Sequence, residues 1–304
     1  MTISTGTRAK VGYISEVTYG TTPATPDLTE VPFTSFAVNL TRNDYEDTSI
    51  RSDRMERYSI TGNRSVGGQL SVNFSHSVYD FLLESLMQNA FATNVLKTGT
   101  TRKSFTMEEG QADVAQYRVY TGVIVDKLDL TVPAAGIVTA KFDLLAKDQS
   151  ALTGATIDTN SAYTAAATKT PFANTGTSGF IKEGGSTVGY VTSIQLNIDN
   201  GHAANFALGA TTIRDFTTAL CKVTGTVQVF FEDSTMYNKF ANGTASSLDF
   251  KLDDGTNTVE FNIPNVKYTG ATKTINGSGP VVLSLPFRGL YDNTTGSNIV
   301  ITRT

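Results

Sequence analysis

The stretch "VGGQLSVNFSHS", residues 66–77, returns later in the chain as "VTGTVQVFFEDS", residues 223–234. Val66/Val223, Gly68/Gly225, Val72/Val229, Phe74/Phe231 and Ser77/Ser234 are identical at an offset of 157. Apolar residues alternate with polar ones in both copies, the period of a strand with one packed face and one wet face. Three further pairs fall in the same order. "YISE" at 13–16 matches "FIKE" at 180–183, offset 167. Phe36, Val38 and Leu40 match Ile194, Leu196 and Ile198, offset 158. "SFTMEEG" at 104–110 matches "DFKLDDG" at 249–255, offset 145. Offsets that shrink steadily along the chain are those of a duplication whose second copy has shorter loops.

The chain therefore divides into copy one (1–149), a linker (150–170), copy two (171–292) and a C-terminal arm (293–304). The linker is rich in Ala, Thr and Ser and has no apolar period. In the arm, Ile299, Val300 and Ile301 have no evident partner within either half, so they are expected to pair with another subunit or another ring.

Most of each half reads as strand: "SFAVNL", "GQLSVNF", "VDKLDLTV" and "IVTAKFDLL" in the first, "SIQLNI", "TVQVFF", "SLDFKL" and "VVLSLPF" in the second. "EEG" and "DDG" read as hairpin ends, since glycine accepts positive φ after an acid. One helix is expected over "SVYDFLLESLMQNAF", 77–91, opened by a Ser77/Asp80 capping signature. "STMYNKFANG" is its shorter counterpart, closing at Gly243. The fold class is mainly β: a β-sandwich or barrel domain, duplicated, each half with one flanking helix.

Chemistry-bearing motifs are missing. Two histidines, His76 and His202, are too few for a His-rich metal site, and both read as solvated surface residues. Cys221 is the sole cysteine, which excludes an intrachain disulfide and reads as a buried small hydrophobe. No zinc, nucleophile-elbow or phosphate-loop motif occurs, and "LDDGTNTVE" lacks the acid spacing of a calcium loop. The expectation is no enzyme, no cofactor and no metal. A net charge of −4 argues against nucleic-acid affinity based on bulk charge. No apolar run suits a signal peptide or membrane anchor, so a soluble chain made in the cytosol is expected.

The most charged stretch is 41–65, with Arg51, Asp53, Arg54, Glu56 and Arg57 in seven residues. It is long for a connection between sheet strands, and pattern alone supports an intersubunit contact and a mobile loop equally. Its counterpart, 199–222, is more apolar: Phe206, Leu208, Ile213, Phe216 and Leu220 need cover.

The run "VGYISEVTYGTTPATP", then "SIRSDRM", "GGQLSVNFSHSVYDFLLESLM", "SFTMEEG" and "YRVYTGVIVDKLDLTVPAAGIVTAKFDLLAKD", resembles the tail tube (major tail) proteins of long-tailed bacteriophages. The resemblance covers 8–148 most clearly and rests on structural motifs. It implies a virion protein, assembled in the host cytoplasm, whose sheets join between subunits into rings that stack as a tube for DNA ejection. It also implies that 41–65 reaches an adjacent ring, making Arg51, Asp53, Arg54, Glu56 and Arg57 contact candidates. The implied partners are the protein itself, then the tape measure, terminator and distal tail proteins, with DNA passing unbound through the lumen. Two tube domains per chain lead to a homotrimeric ring with pseudo-sixfold symmetry, a homohexamer with copy two outside being the alternative. Other functions compatible with the pattern are another ring-forming tail part (terminator or baseplate) and a carbohydrate-binding β module. The latter usually relies on exposed aromatics, often Trp, and the chain has no Trp.

Overall fold

Alternation of apolar and polar residues becomes strand wherever it was read. The computed structural model describes residues 3–173, 179–275 and 277–304. The first half holds β1 (Ala9–Ser15), β2 (Thr29–Glu30), β3 (Ser35–Glu46), β4 (Ser59–Asn73), α1 (Asp80–Met87), β5 (Val95–Lys97), β6 (Phe105–Gln111), β7 (Gln116–Pro133), β8 (Thr139–Ala146) and β9 (Asp148–Gln149). The second holds β10 (Phe180–Glu183), β11 (Ser186–Thr187), β12 (Val191–Asp199), β13 (Ala203–Asn205), β14 (Asp215–Thr217), β15 (Lys222–Phe230), α2 (Thr235–Ala241), β16 (Ser246–Asp253), β17 (Thr258–Tyr268), β18 (Thr272–Thr274), β19 (Val282–Gly289) and β20 (Val300–Arg303). The protein is mainly β, with large antiparallel sheets and two α-helices among the described residues.

Five antiparallel pairings of the first half recur in the second in the same order. β1–β6–β7–β8–β4–β3 becomes β10–β16–β17–β19–β15–β12. In each half the long middle strand pairs with two different strands along its length, β7 with β6 and β8, and β17 with β16 and β19. β7 pairs with β6 through its first residues and with β8 through its later ones. The apolar rows of the two layers meet as one core: Leu70, Val72, Leu130 and Phe142 in the first half continue into Leu196, Val227, Val229 and Leu285 in the second. α1 covers the first half with Leu82, Leu83 and Leu86, all buried.

The halves join edge to edge. β12 pairs antiparallel with β7, from Ser193↔Pro133 to Asp199↔Lys127. The result is a continuous run β3–β4–β8–β7–β12–β15–β19, with β18 on the far side of β19.

Several expectations are corrected here. Only "DDG" ends a hairpin: Asp254 opens the β16–β17 turn and accepts from the N–H groups of Thr256 and Asn257 at 2.9 and 2.7 Å. "EEG" lies inside β6, and the turn falls beyond it at 112–115. Glu108 is fully buried, which is tolerable because Thr156 Oγ1, the Ile157 N–H (2.8 Å) and Tyr163 Oη (2.7 Å) all donate to it. Register explains the slip. β6 and β16 carry a bulge at the same place, after which Met107 faces Tyr120 and Leu248 faces Ile263. The equivalent of Met107 is thus Leu248, an offset of 141, rather than Leu252, an offset of 145.

The linker does not run free. Asp158 accepts from the Leu28 N–H at 2.7 Å, Thr164 bridges to Thr29, and just beyond the linker Phe172 is fully buried against Phe74. α1 is shorter than read: Ser77 sits at φ 60, and Tyr79 caps the helix without a side-chain bond.

Candidate assembly interface

Every second residue along the central sheet points away from the core and builds one polar face. It includes Ala37 and Asn39 on β3, Gln69 on β4, Asp143 on β8, Asp129 on β7, Asn197 on β12, Thr226 on β15 and Ser284 on β19. The opposite row is the buried core, so the strand period fixes this face without any special motif. Its charges are balanced locally. Lys127 Nζ lies 3.3 Å from Asp199, whose carboxylate holds the ammonium above its ordinary range. Asn197 Nδ2 donates to Asp129 across the β7–β12 junction. Partial burial holds the Asp143 carboxyl above the usual carboxylate range, opposed by a bond from Gln69. Leu145 and Ile124 also lie on this face, packed with Ile213 and Phe216, and the charges of Lys127, Lys141, Asp129 and Asp143 mix both signs.

Two edges of the sheet remain open among the described residues. β3 pairs only with β4, and β18 only with β19. A row of unpaired N–H and C=O groups is a template for another strand.

The charged segment 41–65 is mostly ladder. β3 runs to Glu46 and β4 starts at Ser59, paired as Glu46↔Ser59, so the irregular tip is only 47–58. Its strands were missed because both faces meet solvent, which removes the alternation that marks a half-buried strand. Arg57 pairs with Asp53 and Arg51 lies 3.9 Å from Asp47, while Arg54 and Glu56 are exposed without an ion pair among the described residues. Ile50, Met55 and Tyr58 are exposed at the tip, and Tyr45 and Ile60 below it. In the second half, β13 and β14 fold back instead, burying Ile213 and Phe216 against Ile124 and leaving Phe206, Leu208 and Leu220 exposed.

The arm candidates lie elsewhere than expected. β20 pairs with β17 on one side (Phe261↔Ile301) and with β5 of the first half on the other (Ile301↔Leu96). Ile299 and Ile301 are fully buried. The arm is a clasp between the halves of one chain, and its partner strand β5 is too short to be read from sequence. The histidines also differ from expectation: burial lowers the pKa of both, and both His76 ring nitrogens are buried without a partner. Among the described residues no cluster could hold a metal ion, and no helix is long and apolar enough to cross a membrane.

The sequence profile of the phage tail tube proteins matches residues 6–289. The chain belongs to the phage tail tube protein family. It is a structural protein of the phage tail, and the resemblance read over the first half extends through the second. No curated protein matches the chain significantly. In a tube protein the informative surfaces are the polar sheet face, the two open edges and the β3–β4 tip. The edge at 272–274 was missed in the sequence. The only local signal was its place before the "INGSGP" turn, and a three-residue strand has too little alternation to stand out.

Proposed function

We propose that this chain assembles into stacked rings that form the wall of the tail tube, the conduit through which DNA leaves the capsid. The observation that carries this reading is the β7–β12 junction: one chain already holds two similar four-stranded units joined edge to edge. Residues 1–149 and 171–292 are the two tube units on this reading, with Pro171 to Ala173 packed against the first. Three chains then supply six positions, a trimeric ring with pseudo-sixfold symmetry. The polar face lines the lumen. Its mixed, locally paired charges suit a wall that DNA must slide past, since a strongly basic surface would bind phosphates and retard it. Tape measure, terminator and distal tail proteins are the further partners. A cross-section of tubes assembled from purified protein, viewed by cryo-electron microscopy, is expected to show three full-length chains per ring. Six full-length chains per ring would overturn the trimer.

The β3–β4 tip carries ring-to-ring contact on this reading, through Arg51, Asp53, Arg54, Glu56, Arg57 and the exposed Ile50 and Met55. The Asp47 N–H bonds to the Tyr58 carbonyl at 3.0 Å, so these two residues can flank a two-residue turn. Replacing 48–57 by Asn-Gly should therefore keep the fold and close the hairpin. The expected result is an unchanged melting temperature with tube formation lost. Normal tubes from this variant would remove the tip from the stacking contact.

A further inference from the structure

The junction inside the chain specifies the junction between chains. We infer that the open edge of β3 in one copy pairs antiparallel with 271–275, including β18, of the next copy, in the register Ala37↔Thr274, Val38↔Lys273 and Asn39↔Thr272. This rests on the ring proposed above and adds the edge and register by which it closes.

The register comes from counting along equivalent ladders. β12 is the counterpart of β3: Phe36 faces Leu70 and Leu40 faces Val66, as Ile194 faces Val227 and Ile198 faces Val223. The offset is 158 on one strand and 157 on the other, as in the sequence repeat. On the other side, Asp129 of β7 faces Lys141, which faces Ser71. In the second half Thr272 faces Ser284, which faces Gln228, the counterpart of Ser71. Thr272 thus stands where Asp129 stands, with Lys273 for Leu130 and Thr274 for Thr131. Within the chain the outer edge of β12 is filled by Gln195↔Thr131, Leu196↔Leu130 and Asn197↔Asp129. Substituting counterparts gives the three pairs above with nothing left to adjust.

The side chains suit this occupant. Ile275 continues the core-facing row of β18 and is 68% exposed in the single chain. In the inferred register it meets Phe36, where the chain itself pairs Val132 with Ile194. Pairing would cover an isoleucine that is mostly exposed in the single chain, and each edge would gain a partner strand, the Val38 carbonyl already accepting from Tyr120 Oη at 3.1 Å. The two junctions differ in their side chains. Lys273 stands where Leu130 stands and would face Val38, where the chain itself pairs Leu130 with Leu196. The Lys127–Asp199 ion pair inside the chain has Gly270 and Thr41 as its counterparts between chains. The inter-copy junction is therefore neutral at this position.

Cysteine pairing tests the register in a Cys221→Ala background, which leaves no other thiol. Hydrogen-bonded and non-hydrogen-bonded pairs alternate along an antiparallel ladder, with different Cα separations, so two adjacent pairs are made. These are Ala37→Cys with Thr274→Cys, and Val38→Cys with Lys273→Cys. Ala37→Cys with Thr272→Cys is the shifted control. After mild oxidation of assembled protein, at least one matched pair is expected to convert monomer into covalent dimers and trimers on a non-reducing gel, while the control stays monomeric. Cross-linking of the control alone would overturn the register. Rings seen by negative stain without cross-linking in any variant would overturn the edge and leave the ring reading standing. Absence of rings or tubes from the Cys221→Ala chain and from the unmodified protein would overturn the ring reading and this inference with it.

Discussion

A chain truncated after Asp292 is expected to lose its fold, not merely its capacity to assemble. The deletion removes β20 from between β17 and β5, leaving two strand edges bare in the middle of a layer. It also removes Ile299 and Ile301, both fully buried. Cutting one such side chain back to alanine costs about 2–5 kcal/mol. Losing two, together with the ladder between the halves, approaches the roughly 5–15 kcal/mol that holds a typical domain folded. Arg303 adds to the loss: it pairs with Asp80 at the start of α1 and lies over the Phe91 ring at 4.2 Å. Circular dichroism of the truncated chain should show no cooperative thermal transition, and Ile301→Ala alone should lower stability by about 2–5 kcal/mol in urea titration. A truncated chain that melts like the full one would show that the clasp contributes little.

The contrast between β20 and β4 explains what could be read from the sequence. β4 and β15 carry period-2 alternation, a glycine and a matching partner strand nearby in the chain, so their place and relative register were legible. The β20 strand has a legible apolar run, but its partners are Leu96 and Phe261, far along the chain, and nothing local selects them over another subunit. The outer strands were found and misregistered, because the sequence match "SFTMEEG"/"DFKLDDG" aligns two acid–glycine pairs of which one lies at the turn, 254–257, and the other inside β6, ahead of its turn at 112–115. Glu108 was misread for a related reason: an acid before a glycine favours a turn, unless distant donors from Thr156, Ile157 and Tyr163 satisfy it inside a strand. Of the proposed assembly surfaces, the polar face followed from alternation, the tip from charge, and the β18 edge from neither.

Alanine at Gly68 or at Gly225 is expected to destabilise the protein strongly, and by similar amounts. The two glycines are the repeated ones, facing Val38 and Leu196 at equivalent points of the β3–β4 and β12–β15 ladders. A Cβ at Gly68 would stand 1.9 Å from the Ala37 carbonyl oxygen, and one at Gly225 would stand 2.2 Å from that of Gln195. Ala37 and Gln195 are themselves counterparts, so both copies bring a strand too close for any side chain at the same point. The obstructing atom is backbone within a paired ladder, which cannot rotate away as a side-chain end would. Relief requires opposed strands to separate in the middle of a sheet, and overpacking of this kind costs about 3 kcal/mol or more. For a chain of this size that is a melting temperature lower by roughly 6–12 °C. Gly154→Ala is the control, since a Cβ there meets nothing within 4 Å. Calorimetry of the three variants decides the matter: equal losses at Gly68 and Gly225 with none at Gly154 fit two copies of one sheet geometry. A tolerated alanine at either repeated glycine would mean that the halves share a strand order but not the close approach that their common glycine permits.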